Sequence, residues 1–349
     1  MANATKTVKS SGGDYTSLNA ALAGQAANLT TNCAGTGGAG ILTIECYAMS
    51  DTTAANTGTG YTTSADYYIN ITVPAAERHD GKWNTAKYRL EVDGQCFNNN
   101  EQYTRIAYLQ IHSISGGWNE GAIKNSCGDP NLTIAYCILK TSIANTVMSG
   151  GGIVNFQYLS VNSNNNYIYN NIFYDASGTY GNAVYLGDYA GNFYIYNNTF
   201  YNCTYGIVTV FDSETSKHAK NNLFCNVTNP INGTWNAGSG YNATDQSSIG
   251  YIVTDGATGD RVSQTFTFVD ADNDNFHLAS NDAGARDYGT SLSGTFTTDI
   301  DGETRSGTWD IGADEYVAAG ASSTPSSTLA RGIAVGMFKG MGIWSGQYP

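Results

Sequence analysis

Charge is scarce in this chain. Only 13% of its 349 residues are Asp, Glu, Lys or Arg, and the 16 basic residues are outnumbered by 29 acidic ones. The net charge of −13 and the absence of any Lys/Arg cluster exclude nucleic acid as a partner, because phosphate binding needs clustered cations. The same electrostatics disfavour polyanionic glycans. No uninterrupted apolar run approaches the ~20 residues that a membrane-spanning helix needs, so no transmembrane span is expected. The seven cysteines (33, 46, 96, 127, 137, 203 and 225) form no CxxC pair and are odd in number. They indicate neither a disulfide framework nor a zinc cluster, and read as small buried apolar residues. Four histidines lie far apart in the chain, which supports no metal site and no Ser-His-Asp triad. No cofactor is expected. The opening MANATKTVKSS lacks an apolar h-region, so a secretory signal is not expected either.

What is abundant is turn and strand chemistry. Glycine reaches 41 residues and tyrosine 25, whereas proline occurs only 5 times, a composition that is neither disordered nor collagen-like. The clearest signal is a repeat. Residues 167–175 read YIYNNIFYD, 194–202 read YIYNNTFYN and 218–226 read HAKNNLFCN, at intervals of 27 and 24 residues. Ile134-Ala135-Tyr136 and Ile106-Ala107-Tyr108 are weaker copies of the first half. In each copy a short alternating strand runs through Asn-Asn straight into another strand, which turns a corner without closing a hairpin. Stacked copies at about 4.8 Å would bond above and below and bury a continuous core. The pairs Asn170/Asn171, Asn197/Asn198 and Asn221/Asn222 would then form a ladder at one corner, satisfying groups that a sharp bend leaves unpaired.

A second column aligns Gly121–Cys127, Gly152–Tyr158, Asn182–Asp188 and Gly206–Asp212, with Ile123, Val154, Val184 and Val208 at its apolar third position. Lys124, Asn155, Tyr185 and Thr209 fall at the outward fourth position, and Asp188 and Asp212 at the seventh, on adjacent coils. The expected fold is therefore all-β, a single-stranded right-handed parallel β-helix over residues 1 to about 317. Residues 1–50 form the N-terminal cap and first coil, 51–260 the coils and 261–317 a closing segment.

The ends carry a family likeness. TKTVKSSGGDYTSLNAALAGQ reads as a strand, a glycine turn and a short helix capped by Thr16 or Ser17, ahead of the strand ILTIECY at 41–47. It resembles the opening of pectin-lyase-like β-helix proteins. FVDADNDNFHLAS (268–280), DAGARDYGT (282–290) and DIDGETRSGTWDIGADEY (299–316) are similar to the closing segment of bacterial and viral members of that superfamily. The resemblance implies the fold, not the chemistry, since the superfamily holds lyases, hydrolases, esterases, epimerases, phage tailspikes and inert structural proteins.

Two readings of Asp188 and Asp212 stay open. Carboxylates on adjacent coils push one pKa up, which suits a glycosidase acid and its partner; each Asp also suits a turn, where a carboxylate accepts backbone hydrogen bonds. The Asn-x-Asp and Asp-Asp motifs of polygalacturonase-like members are absent from this column, and of the basic groups that pectate lyases use only Lys124 projects from it. Lys217 and His218 read as sugar contacts or as a solvated turn. DADNDN (270–275) lacks calcium-loop spacing and reads as a turn. Lys124, Asn155, Tyr185 and Tyr189 form the expected face for a neutral glycan, through ring stacking and hydroxyl contacts.

After Tyr316 a small-residue linker (318–328) leads to LARGIAVGMFKGMGIWSGQYP. There Leu329, Ile333, Met337, Met341 and Trp344 share one helical stripe beside glycines spaced by four, a docking tail (329–349) for other virion proteins or for copies of the chain itself. Together these features resemble a bacteriophage virion component, a capsid decoration, fibre or spike, and virion β-helices of this type are often homotrimers. The expected location is the virion, with an extracellular or cell-surface adhesin as the alternative. A polysaccharide-degrading enzyme using Asp188 and Asp212 is a further alternative.

Overall fold

Successive coils supply three short strands each, and their stacking explains the repeat. The computed structural model describes residues 2–115, 120–142, 151–156, 164–187, 191–210, 216–253 and 256–318. The first strands of the coils make an eight-stranded, all-parallel column: Ala4–Val8, Leu42–Cys46, Ile69–Thr72, Thr104–Ala107, Thr133–Ala135, Asn165–Tyr169, Asn192–Tyr196 and Lys217–Lys220. The second and third strands of each coil form two more parallel columns, joined into one sheet where Thr199–Thr209 and Leu223–Ile231 run unbroken from one column to the other. The protein is an all-β parallel β-helix, as the repeat led us to expect.

Period-2 alternation decides what faces inward. The first column carries Ile44, Ile71, Ile106, Ile134, Ile168, Ile195 and Ala219 in one register line, all fully buried. Leu90, Ile111, Leu139, Phe173, Phe200 and Phe224 line the second. Its phenylalanines stack at 4.9 and 4.7 Å. Fully burying such side chains contributes about 1.5–3 kcal/mol each. The core is closed at the Ala4–Val8 end by the helix Leu18–Gly24, whose N-cap is Ser17, its Oγ accepting from the Ala20 amide at 3.2 Å. Leu18, Ala21 and Leu22 of that helix enter the core, and buried Asp51 accepts from the Leu18 amide at 2.7 Å.

The Asn-Asn corner is a ladder with two distinct rails. The second Asn of each pair links coils: the side-chain amide of Asn171 donates to Asn198, Asn198 to Asn222 and Asn222 to Asn242, each at 3.0 Å. The same oxygens accept the backbone amides of Asn171, Asn198 and Asn222 at 3.0–3.1 Å, and Asn171 Oδ1 accepts that of Cys137 at 2.9 Å. The first Asn of each pair adopts the left-handed conformation, with φ of 51°, 47° and 55° at Asn170, Asn197 and Asn221, a region that Asn tolerates better than most residues.

That first rail faces the closing segment, which runs along the flank of the rod. Asn170 donates to the Thr298 carbonyl, Asn197 to those of Asp310 and Gly312, and Asn221 to that of Thr290. Phe276, Ile300 and Ala313 cover the outward Ile138, Ile172 and Tyr174, while Leu278, Ala285 and Ile311 cover Leu223 and Ala243. Residues 268–278 form an antiparallel hairpin around the short 3-10 turn Ala271–Asn273, the turn expected at DADNDN. The seven cysteines are unpaired thiols; five are buried and Cys127 and Cys225 partly so.

Candidate functional site

The expected third-column alignment holds through three coils and then slips. Ile123, Val154 and Val184 pair in register, but Val184 stands opposite Ile207, not Val208. Tyr185 consequently faces Val208, and Thr209 pairs with Leu186 and is buried. The cause is strand continuity. Thr199–Thr209 is a single 11-residue strand, so its register is set by Thr199 pairing with Ile172 and no loop absorbs the extra residue. Gly206 is fixed by close approach: a Cβ there would sit 2.4 Å from the Pro230 carbonyl and 2.6 Å from the Phe224 ring. The one-residue slip is still present at Leu186 and Thr209, the last pair of this register. Asp188, Asp212 and Tyr189 themselves lie outside the described residues, as do Leu329, Ile333, Met337, Met341 and Trp344.

Of the expected glycan face, Lys124, Asn155 and Tyr185 are brought into one outward line. Asn155 is fully buried, and Lys124 and Tyr185 are half-buried. Strand alternation tells which side a residue takes but not what lies above it. Lys217 and His218 are not a turn but open a first-column strand. Lys217 points inward, is buried and donates to Thr209 Oγ1 at 3.3 Å, while His218 points out.

The structure draws together a polar cluster that sequence spacing hid. His277 Nε2 lies 2.7 Å from Asp301 Oδ2, and one ligand-type atom from each of His277, Asp301 and Asp314 falls within 4.8 Å of the others. Asp314 accepts from the Leu278 amide at 2.7 Å, and fully buried Asp299 accepts from the amides of Asp301, Glu303 and Glu315. Gly81, at φ +68°, packs so closely that a Cβ would overlap Asp301 and His277, so this loop of the rod sits directly on the pair. Burial opposes charge on His277, yet Asp301, Asp314 and Asp299 overcome it and hold the imidazole up at about 9. Burial raises Asp314 to about 6, and burial with its acidic neighbours raises Asp299 well above the carboxylate range. The imidazolium is thus the counter-ion of this cluster, and a metal ion would have to displace its proton. Each shift is upward, so each group favours folding more in its protonated form. The stabilisation from His277 is complete below pH 6.5 and fades as pH rises through 9, a loss of about 3 kcal/mol for a shift of this size. We expect the melting temperature to fall between pH 6.5 and 9.5, and to fall less in His277→Gln. Equal pH slopes in the two proteins, read by scanning calorimetry, would remove this assignment.

On the first column, the outward line reads Asn70, Arg105, Thr133, Tyr167, Tyr194 and His218. Tyr167 stacks on Tyr194 at 4.8 Å and 16°, and Tyr194 on His218 at 5.5 Å and 7°. Burial, helped by nearby Lys220, lowers the His218 pKa and so favours its neutral imidazole. Asn192 donates to Asn165 at 2.9 Å beside it. Rings stacked this way hide their faces from solvent and present edges and hydroxyls. The signal was legible as the alternating YIY of two repeats, but those tyrosines read equally as packing between coils. No protein-family model, no curated protein and no solved structure matches this chain. Among the described residues, no helix is long and apolar enough to cross a membrane.

Proposed function

We propose that this protein is a non-catalytic display rod of a bacteriophage virion, a capsid decoration, fibre or spike, that presents a face for a neutral glycan. The observation that carries the glycan reading is the ladder Tyr167–Tyr194–His218 with its flanking asparagines. The ring face at the Tyr167 end of the ladder, beside amides and phenol hydroxyls, suits sugars, which offer C–H faces and hydroxyl rims. The other outward tyrosines of these coils have a different use: Tyr169, Tyr174, Tyr196 and Tyr201 are covered by the closing segment. Tyr194 also touches that cover at its edge, and Tyr167, Tyr194 and His218 stay half-buried, which leaves part of the row open as a contact surface. The virion assignment rests on the likeness of the terminal segments to viral β-helices and on the apolar stripe of 329–349 as its anchor, gripping other virion proteins or copies of itself. The glycosidase alternative rests on Asp188 and Asp212, which lie outside the described residues.

Deleting residues 318–349 is expected to leave a folded rod that no longer enters particles, read by cryo-EM of assembled material; incorporation of the truncated chain would remove the anchor. Intact protein on a glycan array is expected to retain neutral glycans without cleaving them. Release of shortened products would move the assignment to the enzyme class.

A further inference from the structure

The aromatic ladder stops one rung short of a cation. Below Tyr167 the same line continues with Thr133, too short to stack, and then Arg105, whose guanidinium lies 3.7 Å over the Tyr68 ring. Two strand steps separate Arg105 from Tyr167, roughly 9.6 Å at about 4.8 Å each. A ring inserted at the Thr133 level would therefore sit about one stacking distance from both, the same 4.8 Å that separates Tyr167 from Tyr194. A cleft of about 190 Å³ is present at this place, its lining including Tyr167, Thr133, Arg105, Tyr103, Asn131 and Asn165. This volume is below the roughly 300 Å³ at which pockets for drug-sized ligands begin, so it suits one ring and not a chain of them.

The chemistry of the lining narrows the occupant. The lower face of Tyr167 offers an apolar plane. Asn131, Asn165, Thr133 and the Tyr103 phenol supply amide and hydroxyl groups around it, and Arg105 adds a fork of N–H donors. Tyr103 and Asn131 both take left-handed backbone conformations, φ 47° and 44°, which sets a fixed corner at the rim. A pyranose matches this: an apolar C–H face for the tyrosine and equatorial hydroxyls for the donors and acceptors. A net charge of −13 favours a neutral sugar over an acidic one.

We infer that the gap between Tyr167 and Arg105 is a binding subsite for a single neutral pyranose ring, the missing rung of the Tyr167–Tyr194–His218 stack. This rests on the glycan-binding reading above and names the place and the size of what is bound. The test uses the intact chain and a panel of methyl glycosides of neutral hexoses and N-acetylhexosamines, with indole as an aromatic probe, followed by saturation-transfer NMR. Thr133→Tyr supplies the rung from the protein itself and should leave the melting temperature unchanged or higher. It is expected to weaken glycoside binding by at least about tenfold, the scale of one lost ring contact. Should that variant fail to fold, Tyr167→Leu, which removes the stacking plane, is expected to give the same loss. Wild-type binding that both folded variants retain within about twofold would overturn the subsite while leaving a glycan face elsewhere intact. No binding of any glycoside, or of any array glycan, would overturn both; binding of indole alone would overturn the sugar assignment.

Discussion

Asn198→Leu is expected to destabilise the rod by about 3–5 kcal/mol, because it orphans buried hydrogen-bonding groups on two sides at once. Its Oδ1 accepts the Asn171 backbone amide and the Asn171 side chain, both at 3.0 Å, and its Nδ2 donates to the Ile168 carbonyl at 2.9 Å and to Asn222 at 3.0 Å. Asn171, Asn198 and Asn222 are fully buried, so water has no ready route to replace what is lost. The Asn171 backbone amide suffers most, since it donates to the Asn198 oxygen. Leucine is close in volume, so the cost is polar and not a cavity. Asn165→Ala is the control: it breaks the chemically similar Asn192–Asn165 bond on the exposed surface, where water can substitute, and should cost under about 1 kcal/mol. Urea titration compares the two; a change of less than about 1 kcal/mol in Asn198→Leu would mean that the ladder relaxes around the loss.

The second large effect is expected at Arg305, whose replacement by Met should release the closing segment while the coils stay folded. Its guanidinium is fully buried and donates to Asn170 Oδ1 at 2.9 Å, to the carbonyls of Gly312 and Ala313 at 2.9 and 2.8 Å, and to Glu315 at 3.2 Å. This one side chain thus ties a turn of the segment to itself and to the first rail of the corner ladder. Removing one partner of a buried pair costs about 3–5 kcal/mol, because the other charge remains buried. Burial raises Glu315, and Arg305 is among the groups that pull it back down. In Arg305→Met the carboxyl would titrate higher still, and the variant should be less destabilised in mild acid than at neutral pH. Hydrogen exchange should rise across residues 268–316, which cover Ile138, Ile172, Tyr174 and Leu223, with the Ile44-to-Ile195 line still protected. Uniform exchange throughout the chain would show instead that segment and coils unfold as one unit.

The inward isoleucine line and the Asn-Asn corner were legible because both are local and periodic. Each coil repeats the same alternation, and a stacked repeat translates that alternation directly into neighbours. The division of labour within the pair was not legible. Asn170 and Asn171 look alike as letters, yet one lies in left-handed backbone and holds the closing segment while the other holds the next coil. His277, Asp301 and Asp314 escaped notice for a related reason, since 24 and 37 residues of chain separate His277 from the two carboxylates it meets. The third-column register failed where loop length changed. Gly206 resembled the glycines that open earlier strands, although close approach to Phe224 and Pro230 accounts for it.

What the sequence by itself determined is the architecture: strand periodicity, corner chemistry and a core of Ile, Leu and Phe, all properties of residues a few positions apart. What only the tertiary structure decided is the surface, because which outward tyrosines are covered by residues 268–316 and which stay partly open beside Thr133 depends on where a distant segment packs. Alternation assigns a side chain to the inside or the outside with a period of two residues. Exposure on the outside is set by contacts between segments more than 100 residues apart, such as Tyr174 with Phe276, and no local pattern encodes them.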